Sequence, residues 1–293
     1  MALLAAILLF PAIANAGQGE PPVPPGSDPG GVAVAVIDTG VNYALDAVAR
    51  RLARDERGDL YGYDAQDGDG QPFDVAPGED ADQGRRHGTS VAGIILHEAP
   101  LARIAPYRFR HADPSSFARL VEEIAKGPAP IVSMSLGGYR KQDWEPFLTA
   151  ARAHPELLFV ISAGNDGRNI DEKPVYPASF GMENAIVVTS TDAFGRLPRE
   201  SNWGPASVDI STPGEGIISI DHNGLLKKVS GTSFAAPRIA SLAARLKAQN
   251  PGWSTQELKQ AILALGTASP SDRTKRTRHG WIVNPATVAA GRN

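Results

Sequence analysis

With 293 residues, 42% hydrophobic and 21% charged, the chain has the make-up of an ordinary globular protein and is long enough for one large core or two modest ones. A formal charge of −3 gives no electrostatic footprint for nucleic acid. The complete lack of cysteine excludes a disulfide framework, a thiolate metal site, a cysteine nucleophile and a lipoprotein anchor.

The chain opens on a predicted leader. Residues 2–10 are uninterruptedly apolar and lead through Pro11 to the small-residue pattern Ala14-Asn15-Ala16, the arrangement of a secretory signal cleaved near Ala16. The run is shorter than the roughly 20 apolar residues of a bilayer crossing. An exported protein, secreted or periplasmic and without a stable membrane anchor, is therefore expected. Residues 17–30, rich in Pro and Gly, read as an extended tether that does not pack. Residues 31–293 read as one domain.

Within that domain, residues 32–37, 104–109, 131–136, 157–162 and 185–189 are brief, apolar and partly β-branched, which predicts strands buried on both faces. Between and after them, residues 44–54, 87–96, 117–125, 144–153 and 234–249 carry apolar side chains at three- and four-residue spacing, which predicts amphipathic helices. The alternation implies an α/β fold of three layers, with a mostly parallel central sheet covered by helices on both faces. Ligands on such sheets gather outside the carboxyl ends of the strands. The residues at which the apolar runs stop are therefore the first candidates for chemistry.

The run 32–37 stops at Asp38-Thr39-Gly40, which sets a carboxylate where the strand leaves the core. The run 157–162 stops at Ala163-Gly164-Asn165, a small-residue turn with an amide free to donate. Gly231-Thr232-Ser233 leads into the longest helix, expected over residues 234–249, where Pro237 would fall in the first turn, whose amides have no partner inside the helix. Of six histidines, only His87 stands at a helix start flanked by Gly and Thr. Acyl transfer needs a nucleophile, a neutral imidazole to take its proton, a carboxylate to orient the imidazole, and donors for the oxyanion. Ser233, His87, Asp38 and Asn165 supply these four. Taken singly, each has a commoner structural role as a cap or turn former. The chain contains no G-x-S-x-G elbow, H-E-x-x-H helix, Walker loop or G-x-G-x-x-G fingerprint.

Three sequence words resemble those of the subtilisin-like serine peptidases, the subtilases. They are Val36-Ile37-Asp38-Thr39-Gly40-Val41, His87-Gly88-Thr89-Ser90-Val91-Ala92-Gly93 and Gly231-Thr232-Ser233-Phe234-Ala235-Ala236-Pro237, in the order Asp, His, Ser. Ser135-Leu136-Gly137-Gly138 is similar to the family's substrate-binding edge, and Ala163-Gly164-Asn165 to its oxyanion turn. The resemblance implies a subtilisin-like fold and a serine endopeptidase acting through an acyl-enzyme. In it Ser233 attacks, His87 is the base, Asp38 orients His87, and Asn165 with the Ser233 amide holds the oxyanion. No cofactor is required for this chemistry. The substrate is expected as an extended peptide paired along residues 133–138 and 162–164, with Asp166 bordering the primary pocket and favouring a basic side chain.

Calcium sites are common in the family, and Asp64, Asp67, Asp69, Asp74, Glu79, Asp80 and Asp82 precede His87. Asp64, Asp67 and Asp69 are the calcium candidates, against the alternative of a solvated acidic loop. Ser90 stands where many members have a second histidine. The short stretch between Ala16 and Asp38 is not expected to hold the inhibitory pro-segment that the resemblance implies, so three expectations stand: the chain folds unaided, a folding helper or inhibitor acts in trans, or the true start lies upstream of Met1. Two other functions share these residues: a catalytically silent secreted binding or regulatory protein on the same scaffold, and a dedicated processing peptidase or transpeptidase.

Overall fold

The computed structural model describes residues 20–74, 86–110, 113–271 and 275–288. Its first half runs β1 (Ala33–Asp38), α1 (Asp46–Ala49), β2 (Tyr63–Asp64), α2 (Gly88–Glu98), β3 (Arg103–Arg108), α3 (Ser116–Ala125) and β4 (Ile131–Met134). There follow α4 (Lys141–Ala153), β5 (Leu158–Ser162), β6 (Ala185–Thr191), β7 (Ile210–Pro213), a hairpin of β8 (Ile217–Ile220) and β9 (Leu226–Val229), then α5 (Thr232–Gln249) and α6 (Thr255–Leu263). Seven strands form one sheet in the order β2-β3-β1-β4-β5-β6-β7. Each neighbouring pair is parallel.

The pleat of β1 divides the core in two. Val34 and Val36 face α2, α5 and α6, packing with Val91, Ile95, Ile239 and Leu242. Ala33, Ala35 and Ile37 face α3 and α4, packing with Leu120, Val121 and Phe147. With a side-chain period of two, Asp38 falls on the same face as Val34 and Val36, toward α2 and α5. The chain leaves β1 for β3 on one side and returns to β4 on the other. The carboxyl ends of β1 and β4 thus flank the point where strand order reverses, where open α/β sheets hold their ligands.

The five predicted strands are all present, with β4 ending at Met134 rather than residue 136. Four of the five predicted helices form close to the expected bounds. The fifth, expected over residues 44–54, is confined to Asp46–Ala49. Beyond it Leu52 bridges Ile104, and the Ala53 amide donates to the Ile104 carbonyl at 2.8 Å. Pairing with β3 overrides the helical period. Four elements had no forecast: β2, β7, the β8–β9 hairpin and α6. The α6 start carries a capping box in which Ser254 and Glu257 bond each other's backbone amides, a pattern legible as Ser-x-x-Glu.

Residues 20–30 do not form a free tether. The Tyr43 hydroxyl donates to the Pro21 carbonyl at 2.7 Å, the Arg54 amide to Asp28 at 2.9 Å, and Arg103 pairs with Asp28. The prolines keep this segment extended, while Glu20 and Asp28 meet arginines on and beside the sheet. Residues 17–19 and the expected leader lie outside the described residues.

Candidate active site

Asp38 is the last residue of β1 and only 2% exposed. Its Oδ1 accepts the Thr39 amide at 2.8 Å. His87 is the N-cap of α2 and its Nδ1 lies 2.9 Å from both Asp38 oxygens. This close approach of helix to strand requires glycine at residue 88, where a Cβ would stand 2.0 Å from the Gly40 carbonyl oxygen and 2.9 Å from the Asp38 Cβ. Burial pulls the His87 pKa down, but the charge and hydrogen bond of Asp38, with a contribution from Asp74, outweigh it. The net result lies above the ordinary 6.5.

Ser233 sits in the first turn of α5, entered through Gly231 at φ +123°. The Phe234 ring packs on the His87 ring at 5.1 Å between centroids, which sets the helix start beside the imidazole. Ser233 Oγ donates to the Ser135 carbonyl at 3.4 Å, and Ser135 Oγ donates to the Ser233 carbonyl at 2.8 Å, coupling the α5 start to the end of β4. Asn165 Oδ1 accepts both the amide of Thr232 at 2.9 Å and its hydroxyl at 3.0 Å. Since an N–H can only donate, this fixes the amide orientation and leaves the Asn165 Nδ2 protons beside Ser233 as available donors. A cleft of about 250 Å³ opens here, lined by Ser135, Gly137, Gly164, Asn165, Asp166 and Ser233 among others. The structure thus gathers Asp38, His87, Ser233 and Asn165 from four separate segments at one end of the sheet.

The model of the subtilase family matches residues 30–281 of this chain. The chain belongs to the subtilase family. A thermophilic serine proteinase of Bacillus sp. (strain AK1) is 32% identical over 247 residues, 79% of this chain and 55% of that protein. A halolysin-like extracellular serine protease of Natrialba magadii is 29% identical over 245 residues, 79% of this chain and 42% of that protein. This subtilase therefore spans about half the length of these two relatives. The crystal structure of a cold-adapted subtilisin-like serine proteinase superposes with a TM-score of 0.71 at 26% identity, covering 89% of this chain and 91% of that one.

The subtilase's cleft walls differ in what they offer a peptide. Ala163 donates to the Val188 carbonyl at 2.9 Å and accepts from Asn202 Nδ2 at 2.8 Å. Gly164 donates to Thr232 Oγ1 at 3.2 Å and accepts the Asn202 amide at 3.0 Å. Both backbone groups of each residue are thus engaged, and Ser162 lies within β5, so residues 162–164 form a wall and not a pairing edge. Ser133 is likewise inside β4, flanked by β1 and β5. Gly138 exchanges both its backbone bonds with Tyr176, at 2.7 and 2.8 Å. The expected edge narrows to Ser135, Leu136 and Gly137. Asp166 does border the cleft, but its carboxylate accepts the Tyr139 hydroxyl at 2.8 Å and lies 3.8 Å from Arg168. Sequence reading missed Asn202, whose buried amide holds this turn by accepting the Asp166 and Arg168 amides, each at 3.0 Å. Nothing in its local sequence marks it.

The acidic residues separate into different roles. Oxygens of Glu20, Asp64 and Asp67 lie within 4.8 Å of one another, a spacing open to a metal. The Arg108 guanidinium already meets all three, with Nη1 at 2.7, 2.9 and 3.2 Å respectively. As placed, this donor set does not fit calcium, because a fixed cation stands among the carboxylates. Asp69, the third candidate, turns its Oδ1 to the Gln71 amide. Burial pushes the Glu20 pKa up to about 7, with Asp64 and Asp67 adding to it and Arg108 opposing. Asp74 is wholly buried beside the α2 start. Glu79, Asp80 and Asp82 lie outside the described residues.

Proposed function

We propose that this subtilase is an exported serine endopeptidase that cleaves peptide bonds through an acyl-enzyme. The observation that carries the reading is the His87 imidazole, held through Nδ1 by both oxygens of buried Asp38 and packed on the ring of Phe234, the residue after Ser233. An Nδ1–H given to the carboxylate leaves Nε2 as the base. His87 Nε2 takes the Ser233 proton, Ser233 Oγ attacks the scissile carbonyl, and Asp38 stabilises the imidazolium so formed. The developing oxyanion is met by Asn165 Nδ2 and the Ser233 amide, which as a first-turn amide lacks a partner inside its helix. The same imidazolium then protonates the leaving amine, and water repeats the sequence on the acyl-enzyme.

The substrate is an extended peptide whose backbone meets Ser135, Leu136 and Gly137. Because Arg168 and Tyr139 already neutralise and bind Asp166, the side chain preceding the cleaved bond is expected to be uncharged rather than basic. Export is supported by the apolar leader and by the extracellular relative. No helix among the described residues is long and apolar enough to cross a membrane. The deciding experiment is fluorophosphonate labelling and casein cleavage by the purified chain and its Ser233→Ala variant. Labelling and turnover in the parent, both lost in the variant, are expected. A variant that still cleaves casein at the parent rate refutes the triad.

A further inference from the structure

Behind the Asp38–His87 pair lies a second carboxylate to which the mechanism above gives no task. Asp74 has no solvent exposure. Its Oδ1 accepts the Thr39 hydroxyl, and its Oδ2 accepts the Thr89 hydroxyl together with the Thr89 amide at 2.9 Å.

Hydrogen-bond stoichiometry shows what these contacts do. Thr39 Oγ1 accepts from the His87 amide at 3.1 Å and the Gly88 amide at 3.0 Å, acting as the cap that α2 lacks from its own N-cap side chain. With both lone pairs filled, its single proton must find an acceptor. Asp38 Oδ1 is 3.3 Å away, and Asp74 is nearer. Thr89 Oγ1 accepts the Asn42 amide at 2.9 Å and likewise gives its proton to Asp74. One buried carboxylate therefore ties the residue after β1 to the first turn of α2, and the ends of these two elements carry Asp38 and His87.

We propose that Asp74 is a positioning residue for the catalytic pair, setting the Asp38–His87 geometry through Thr39 and Thr89. This rests on the triad reading above. Among the described residues, the charged and titratable groups that act on the pair are few. His87 is faced by Asp38 from β1 and by Asp74, which raise its pKa, and by Lys227 from β9, which lowers it. Asp74 is faced by His222 of the β8–β9 hairpin, whose Nδ1 lies 3.9 Å from Oδ2 and has no hydrogen-bond partner among the described residues. Removing the Asp74 charge therefore lowers the His87 pKa, while removing its hydrogen bonds loosens His87.

The test compares Asp74→Asn with the parent by kcat and KM on a peptide substrate across pH, corrected for the active fraction by fluorophosphonate titration. The expected result is a kcat reduced by about tenfold or more, a KM near that of the parent, and an acid limb displaced to lower pH. A purely structural residue would lower the active fraction or the Tm and leave the acid limb of the folded fraction in place. Should Asp74→Asn not fold, Thr39→Val and Thr39→Ser replace it: Val cuts the link to the His87 amide and lowers kcat, whereas Ser, which keeps the hydroxyl, loses less. His222→Gln should leave the acid limb where it is. A folded Asp74→Asn with parent kcat and an unmoved limb overturns the proposal. So do equal losses in Thr39→Val and Thr39→Ser, or an acid limb that moves with His222→Gln. Activity surviving Ser233→Ala marks failure of the triad itself, a different outcome from normal Ser233-dependent turnover in Asp74→Asn.

Discussion

Adding one methyl group at Gly88 is the sharpest test of how the catalytic geometry is built. The new Cβ would sit 2.0 Å from the Gly40 carbonyl oxygen and 2.9 Å from the Asp38 Cβ, against an ordinary contact of roughly 3.5 Å. The helix start must retreat by about 1.5 Å, because both obstacles are main chain or fixed to it, and Gly40 is already committed to φ +96°. Alanine's better helix propensity offers about 1 kcal/mol, while overpacking costs about 1–3 kcal/mol, so Gly88→Ala is expected to be destabilised on balance. At roughly 2–4 °C per kcal/mol for a domain of this size, the Tm falls by a few degrees. Activity falls further, since displacing His87 from Asp38 by about 1 Å can cost on the order of 10²-fold. The assay is kcat/KM on a chromogenic peptide beside a thermal melt and fluorophosphonate labelling. Parent kcat/KM together with parent Tm in Gly88→Ala would refute the claim that this backbone approach sets the Asp38–His87 distance.

Asn202→Ala removes a fully buried amide that holds the Asp166 and Arg168 amides and the Ala163 carbonyl. Leaving such groups unpaired costs about 1–3 kcal/mol each, so a Tm loss and a raised KM from the loosened cleft wall are expected; an unchanged KM would show that the wall does not shape binding. Because Arg108 occupies the centre of the Glu20, Asp64 and Asp67 carboxylates, a chelator should leave the Tm of the parent unchanged, and a clear drop would restore a metal reading of this loop. Glu20 has its pKa raised from 4.5 to about 7, so its protonated form favours the fold. That contribution is complete below pH 4.5 and lost as pH rises to about 7. Melts from pH 4 to 8 should show a decline in the parent that is flattened in Glu20→Gln, and parallel curves would remove Glu20 as its source.

Much of this was legible in the sequence because it is periodic or verbal. The two-residue pleat of β1 and its stop at Asp38, the helix words around His87 and Ser233, and the turn at Asn165 are local patterns, and local physics carries them. The central strands, buried on both faces, announced themselves as continuous apolar runs. Where tertiary pairing competes with local preference, local reading fails. Residues 51–53 extend along β3 despite a helical period, and residues 20–30 dock although their composition is that of a free linker.

What the sequence determined by itself is the family, the order in which the candidate residues Asp38, His87 and Ser233 occur, and the sheet on which they are carried. What only the tertiary structure decided is which polar groups are already taken. Asp64 and Asp67 read as cation ligands until Arg108, from a neighbouring strand, is found among them. Asp166 reads as a specificity charge until Tyr139 and Arg168 are seen to meet it. Asp74 reads as one more acidic loop residue until its two oxygens are found joining Thr39 to Thr89. The physical reason is common to all three: a carboxylate's role is set by the partner that satisfies it in the buried state, and in each case a decisive partner comes from elsewhere in the fold, at a separation that sequence spacing does not encode.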